Sequence, residues 1–174
     1  MSWKVAVLSD THGYRDAIRR FRGAEEGSAD LLIHCGDSEF GKEDPDMDGF
    51  LAVQGNCDPP GAFPESLEAE AGGLRILAVH GHLEGVKGGM LSLRYKASEL
   101  GADIVLFGHT HGYGAEVDGG ILFINPGSPV RPWPGRPPTW ARIEGTGEGV
   151  TVRFVNPDGG EADARKFPDF PGRR

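Results

Sequence analysis

Five of the six histidines fall into three short runs punctuated by glycine: Asp10-Thr11-His12-Gly13, His80-Gly81-His82 and Gly108-His109-Thr110-His111. The sixth, His34, stands just before Cys35-Gly36-Asp37, and Gly55-Asn56-Cys57-Asp58 adds an amide, a thiol and a carboxylate. Imidazole, carboxylate and amide together are ligands for divalent transition metals. Gathered from distant segments in this way, they point to a polynuclear metal centre.

Side chains so far apart in sequence meet only if the elements between them stop in one place. Residues 3–8 read as a buried strand, and a helix is expected from about Asp16, an N-cap type, with Ala17, Ile18, Phe21 and Ala24 as its apolar stripe. Leu31-Leu32-Ile33 and residues 50–53 read as further strands, in an order that favours a parallel sheet. Residues 66–71 and 74–79 form an expected hairpin around Gly72-Gly73. A second helix is expected from Met90 to about Leu100, with Gly101 as its stop. Strands are then expected at residues 104–107, 121–124 and 150–155.

Every candidate ligand follows one of these strands, where open α/β sheets bind ligands. In extended chain, residues i and i+2 face the same way, roughly 6.5–7 Å apart. Asp10 with His12, and His109 with His111, can therefore each aim two side chains at one cavity. The neighbouring glycines allow the bends and close approaches that such loops need.

The 174 residues, 38% hydrophobic and 25% charged, suit one soluble domain. It is expected over residues 1–156, with residues 157–174 as a C-terminal extension that lacks periodicity and is partly mobile. No apolar run is long enough to span a bilayer, and the N-terminus lacks signal-peptide architecture. The two cysteines make neither a disulfide scaffold nor a cysteine-rich zinc site, so a cytoplasmic protein is expected. A net charge of -8 argues against a broad grip on nucleic acid, though not against phosphate at a metal site.

The ordered set Asp-x-His, Gly-Asp, Gly-Asn-Cys-Asp, His-Gly-His, Gly-His-Thr-His and Asn-Pro-Gly-Ser, from Asp10 to Ser128, resembles the calcineurin-like metallophosphoesterases. More narrowly it resembles their small bacterial and archaeal phosphodiesterase branch. The resemblance implies an α/β fold, a four-layer αββα sandwich of two mixed β-sheets flanked by helices. It also implies two divalent metal ions. Asp10, His12 and His111 would hold the first and Asn56, His80 and His109 the second, with Asp37 bridging. Manganese leads the choice, with Fe, Zn, Co or Ni open. The implied reaction is attack of a metal-bound hydroxide on a small phosphodiester. Asn56 and Arg131 are the candidate substrate contacts. Relatives often pair, so a homo-oligomer is open, whereas membranes are not expected partners.

One departure shapes the expected chemistry. Many phosphatases of this superfamily carry Gly-Asn-His-Glu, whereas this chain has Cys57 and Asp58 after Asn56. A thiol is a poor acid toward an alkoxide, and a carboxylate is normally ionised. His82 is then the best candidate proton donor, with Cys57 and Asp58 as competing catalytic candidates or as braces of the ligand loop. The alternatives are a phosphomonoesterase, a nucleotide pyrophosphatase, or a non-catalytic scaffold of the same fold. A strong dependence on leaving-group acidity is expected. Rates across substituted phenyl phosphodiesters should rise steeply as the phenol becomes more acidic, and a flat Brønsted plot would contradict this account.

Overall fold

The computed structural model describes residues 1–172. Strand β1 (Trp3–Leu8) leads into helix α1 (Arg15–Glu25), then β2 (Leu31–His34), a single 3-10 turn at Pro45–Met47 and β3 (Phe50–Ala52). The hairpin β4 (Ser66–Ala71) and β5 (Leu74–Val79) follows, then α2 (Leu91–Leu100) and β6 (Ile104–Leu106). Strands β7 (Gly114–Asp118), β8 (Ile121–Asn125), β9 (Trp140–Thr146), β10 (Gly149–Val155) and β11 (Glu161–Pro168) complete the described residues.

The strands form two mixed sheets, one of six in the order β11-β10-β9-β1-β2-β3 and one of five in the order β4-β5-β6-β8-β7. Strands β1, β2 and β3 run parallel in the first sheet, and β5, β6 and β8 in the second. Alternation along each strand builds the layers. Val5 and Val7 of β1, Ile76 and Ala78 of β5, and Ile104 and Leu106 of β6 fill the space between the sheets. Their neighbours Ala6 and Leu8 pack outward against Ile18 and Phe21 of α1. Leu77, Val79 and Val105 pack outward against Leu93 and Ala97 of α2. Three cores separated by two sheets make the four-layer αββα sandwich.

Several local expectations change. Helix α1 starts at Arg15 behind Tyr14, which makes no side-chain cap, so Asp16 serves in the first turn and pairs with Arg20 instead. Residues 157–172 are not without structure: β11 pairs along β10 from Glu161 to Pro168 and extends the first sheet. Its side chains are mostly half-buried, which is why it shows no apolar alternation. Residues 173–174 lie outside the described residues. The acidic segment after Gly41 is tied to α1, where Arg15 pairs with Asp44 and Asp46, and Arg19 with Asp46. No helix among the described residues is long and apolar enough to cross a membrane.

The buried face of α1 includes a charge rather than the expected Ala24, which is exposed. Glu25 is fully buried and accepts hydrogen bonds from Trp140 Nε1 at 3.0 Å and from Arg142 at 2.7 and 3.0 Å. This carboxylate locks α1 onto β9, and its removal strands an indole N–H and a guanidinium. Glu25→Ala should cost about 2–4 kcal/mol in urea unfolding, with Glu25→Gln costing less because it keeps hydrogen-bonding capacity.

Candidate metal centre

The loops after β1, β2, β3, β5, β6 and β8 meet at one end of the paired sheets. Hydrogen bonds stitch them together: Asp10 N–H to Gly36 O at 3.0 Å, His12 N–H to Asp37 O at 2.9 Å and Gly108 N–H to His80 O at 2.9 Å. The hydroxyl of Ser128 donates to Asp10 O at 2.8 Å, tying the Asn125-Pro126-Gly127-Ser128 turn to the first loop. Close approach demands glycine here. A Cβ on Gly55 would lie 2.1 Å from Asp37 Oδ1, and one on Gly108 would lie 2.1 Å from Ser9 Oγ.

Backbone conformation departs from the extended pairs expected. Asp10 (φ 56°) and His12 (φ 44°) are both left-handed, as are His109 (φ 69°) and His111 (φ 64°). Asp10 and His12 still converge on one group, whereas His109 and His111 part: His111 joins Asp10 and His12, and His109 joins Asp37 and His80. Asp37 (φ 59°) and Glu39 (φ 65°) form a third such pair. Left-handed non-glycine residues cost about 1 kcal/mol or more each and persist where surrounding structure over-determines them.

Two groups of ligand atoms result, Asp10 with His12 and His111, and Asp37 with His80 and His109, each with atoms within 4.8 Å of one another. Asp10 Oδ1 lies 3.1 Å from His111 Nε2, and His12 Nε2 lies 3.2 Å from the same nitrogen. His80 Nε2 lies 3.2 Å from His109 Nδ1, 3.2 Å from Asp37 Oδ2 and 3.0 Å from Asn56 Oδ1. Asp37 Oδ2 is also 4.0 Å from His12 Nε2, so this carboxylate stands between the groups. Ligands about 2.0–2.2 Å from one ion, at angles between 90° and tetrahedral, sit roughly 3.0–3.5 Å apart. The shortest spacings in each group, 3.0–3.2 Å, fit that range, whereas Asp10 Oδ1 lies 3.7 Å from His12 Nε2 and Asp37 Oδ2 4.0 Å from it. The buried Oδ1 of Asp10 accepts no hydrogen bond of good geometry among the described residues, as a metal-facing oxygen would.

The supporting contacts orient the same atoms. His80 Nδ1 donates to Cys35 O at 2.7 Å and His111 Nδ1 to Arg131 O at 2.7 Å, which turns each Nε2 inward. His12 Nδ1 lies 3.2 Å from Glu39 Oε2. Asp10 Oδ2 accepts from Ser9 Oγ at 2.5 Å and His109 N–H at 3.1 Å. Asp37 Oδ1 accepts from Cys57 N–H at 2.8 Å.

Electrostatics follow. Burial opposes ionisation of Asp37, yet His80 and the Cys57 N–H hold its carboxyl well below the usual range. Burial also opposes charging of His80, but Asp37 and Asp10 outweigh it and raise its pKa. The Asp10 carboxylate, close against its ring, raises that of His111. Burial, then the charges of His80 and Lys87, push His109 down to about 4. Protons and a metal cation would therefore compete for His80 and His111.

The other expected site residues separate. Asp58 is a brace, not a free acid: its carboxylate accepts from Gly55, Asp37 and Glu39 N–H groups at 2.7, 3.0 and 2.8 Å. Cys57 is exposed and in no disulfide among the described residues; its Sγ accepts from the Asn56 amide at 3.4 Å and falls with His12 and Asp37 in a third group of convergent atoms. Burial raises the pKa of its thiol, with Asp37 and Glu39 acting the same way. His82 lies beside the second group, its ring centroid 5.3 Å from that of His80 and 6.1 Å from that of His109. Arg131 contributes its carbonyl to His111, while its side chain is exposed. His34, buried between Thr11 Oγ1 and the Gly36 N–H, braces the first two loops through these contacts, and burial lowers its pKa to about 4. Glu39 and Ser9 were not foreseen. The recurrence of two-residue spacing, Asp37-x-Glu39 beside Asp10-x-His12, is the signal that could have found Glu39.

Relatives share this arrangement of fold and sequence. The calcineurin-like phosphoesterase superfamily domain matches residues 3–148. A probable metallophosphoesterase, YsnB, from Bacillus subtilis (strain 168) is 41% identical over 159 residues, covering 91% of this chain and 94% of the relative. A phosphodiesterase of Methanocaldococcus jannaschii is 28% identical over 143 residues, covering 71% of this chain and 82% of the relative. The crystal structure of a conserved predicted phosphoesterase from Streptococcus pneumoniae TIGR4 superposes with a TM-score of 0.92 at 33% identity, covering 97% of this chain and 98% of that one. With a family match along most of its length and convergent candidate metal ligands, this chain belongs to the calcineurin-like phosphoesterase superfamily.

Proposed function

We propose that the chain hydrolyses a small phosphodiester at a pair of divalent cations that share Asp37. Asp10, His12 and His111 would hold one cation and Asn56, His80 and His109 the other, with manganese the leading choice. Bound there, such ions offer Lewis acidity toward a phosphoryl oxygen and acidify water near neutral pH. The observation that carries this reading is the position of Asp37 Oδ2, 3.2 Å from His80 Nε2 and 4.0 Å from His12 Nε2.

The chain's own groups set how substrate is met. Cys57 N–H and His80 fix the orientation of Asp37, while Ser9 and the His109 N–H fix that of Asp10. Burial lowers the pKa of His82, so this imidazole is neutral near pH 7 and offers an N–H to a phosphoryl or leaving oxygen. A neutral donor assists a poor leaving group only modestly, which supports the steep leaving-group dependence. With Asp58 holding three backbone N–H groups of the loop, no carboxyl group among the described residues is left to serve beside Asn56. That favours activated diesters over alkyl monoesters, in keeping with the relative named a phosphodiesterase.

Metal analysis of the purified protein, with hydrolysis of bis-para-nitrophenyl phosphate in added Mn²⁺, tests the reading. Two metal equivalents and chelator-sensitive turnover are expected, and Asp37→Asn should lower kcat about 10²–10³-fold. Tightly held metal without turnover of any phosphoester would make the chain a scaffold. His82→Ala should cost about tenfold or more on diesters of weakly acidic phenols and only a few-fold on nitrophenyl esters. Equal losses on both would remove His82 from leaving-group departure.

A further inference from the structure

A cleft of about 420 Å³ opens one residue from two of the candidate ligands, at Thr110, and is bounded by Val86, Lys87, Tyr113, Trp133 and Arg136. Its size suits a small-molecule site, typically ~300–1,000 Å³. The walls are attached to the metal-centre loops. Trp133 N–H donates to His111 O at 3.0 Å, and Arg136 N–H donates to Trp133 O at 2.9 Å, so one turn carries both side chains beside the site. The Arg136 guanidinium lies 4.0 Å above the Tyr113 ring, and its Nη2 donates to Tyr113 O.

Two features of the lining define its chemistry. Trp133 is 55% exposed, and no aromatic ring among the described residues stacks on it. Lys87 and Arg136 form no ion pair among the described residues, in a chain of net charge -8 where Arg15, Arg142 and Arg153 are paired with carboxylates. Lys87 also lies within electrostatic reach of His109 and His111. An open indole face with two unpaired cations matches a planar ring that carries further negative charge.

We propose that this cleft holds a nucleotide portion of the diester, its base against Trp133 and a second phosphate met by Lys87 and Arg136. The assignment names a substrate class for the hydrolysis proposed above and rests on that reading. Bases stack on any aromatic face, so Trp133 sets preference for nucleosides without choosing among bases. The second phosphate adds a charge-assisted contact that a neutral nucleoside lacks.

The test is a kinetic series in Mn²⁺ with methyl 4-nitrophenyl phosphate, the 4-nitrophenyl ester of thymidine 5′-phosphate, and the same ester carrying a 3′-phosphate. All three release the same phenol, so leaving-group acidity is constant. kcat/KM should rise about tenfold at each step, mainly through KM. Trp133→Ala should abolish the first increment and Trp133→Phe should keep it. Lys87→Ala should abolish the second, which should also shrink in high salt. Equal kcat/KM on all three esters, or variants that lose the same factor on each, would overturn the assignment while leaving phosphodiester hydrolysis standing.

Binding separates the opposite failure. Thymidine 3′,5′-bisphosphate, added to the Mn²⁺-loaded protein, should quench tryptophan fluorescence saturably, and Trp133→Ala should remove the quench because Trp140 is buried and Trp3 lies outside the cleft, against Gly72 and Gly145. Saturable quenching without turnover of any ester would uphold the cleft and sink the hydrolysis. Absence of quenching in the wild-type protein would sink the cleft.

Discussion

Two carboxylates with almost no access to solvent, Asp10 and Asp37, sit where the two sheets meet, and the rest of the site is arranged around their charge. Ionised groups buried this deeply are tolerated only when neighbours compensate them. Asp10 receives Ser9 Oγ and the His109 N–H on one oxygen, and Asp37 receives the Cys57 N–H on one of its own. Their remaining oxygens face imidazole nitrogens at 3.1 and 3.2 Å. That arrangement leaves negative charge and nitrogen lone pairs converging on the same small space. A cation is the natural complement.

Holding such a space open requires the surrounding backbone to be rigid. Loop-to-loop hydrogen bonds, the Asp58 carboxylate and buried His34 supply that rigidity, although none of them touches substrate in the proposed reaction. The same bracing explains why left-handed turns at Asp10, His12, Asp37, His109 and His111 are sustained. Below the loops, the three apolar layers fix the sheets against each other and against one helix on each side. Strand β1 exemplifies the economy of the design: Val5 and Val7 join the sheets while Ala6 and Leu8 seat α1.

Much of this was legible in the residues. The continuous apolar runs of β1, β5 and β6 and the helical spacing of α2 follow from local sequence, because a strand buried on both faces is apolar throughout and a helix buried on one face leaves a periodic mark. Other elements left none. Strand β11 is mostly half-buried and shows no period, and β7 is exposed along most of its length. Glu25 reads as a surface charge on α1 until β9 brings Trp140 and Arg142 against it.

For the candidate centre, sequence alone determined which groups were available: imidazoles, carboxylates and an amide placed just after strands, in an order shared with a family. It could not say which neighbours were ligands and which were braces, since Asn56, Cys57 and Asp58 are equally polar and adjacent. Only the tertiary structure decided that Asp58 faces three backbone N–H groups, that Glu39 supports His12, and that Trp133, Lys87 and Arg136 border one cleft. The reason is physical. Composition and spacing record what each segment can bury or donate, whereas hydrogen-bond partners come from segments distant in the chain, and their identity is set when the sheets pack.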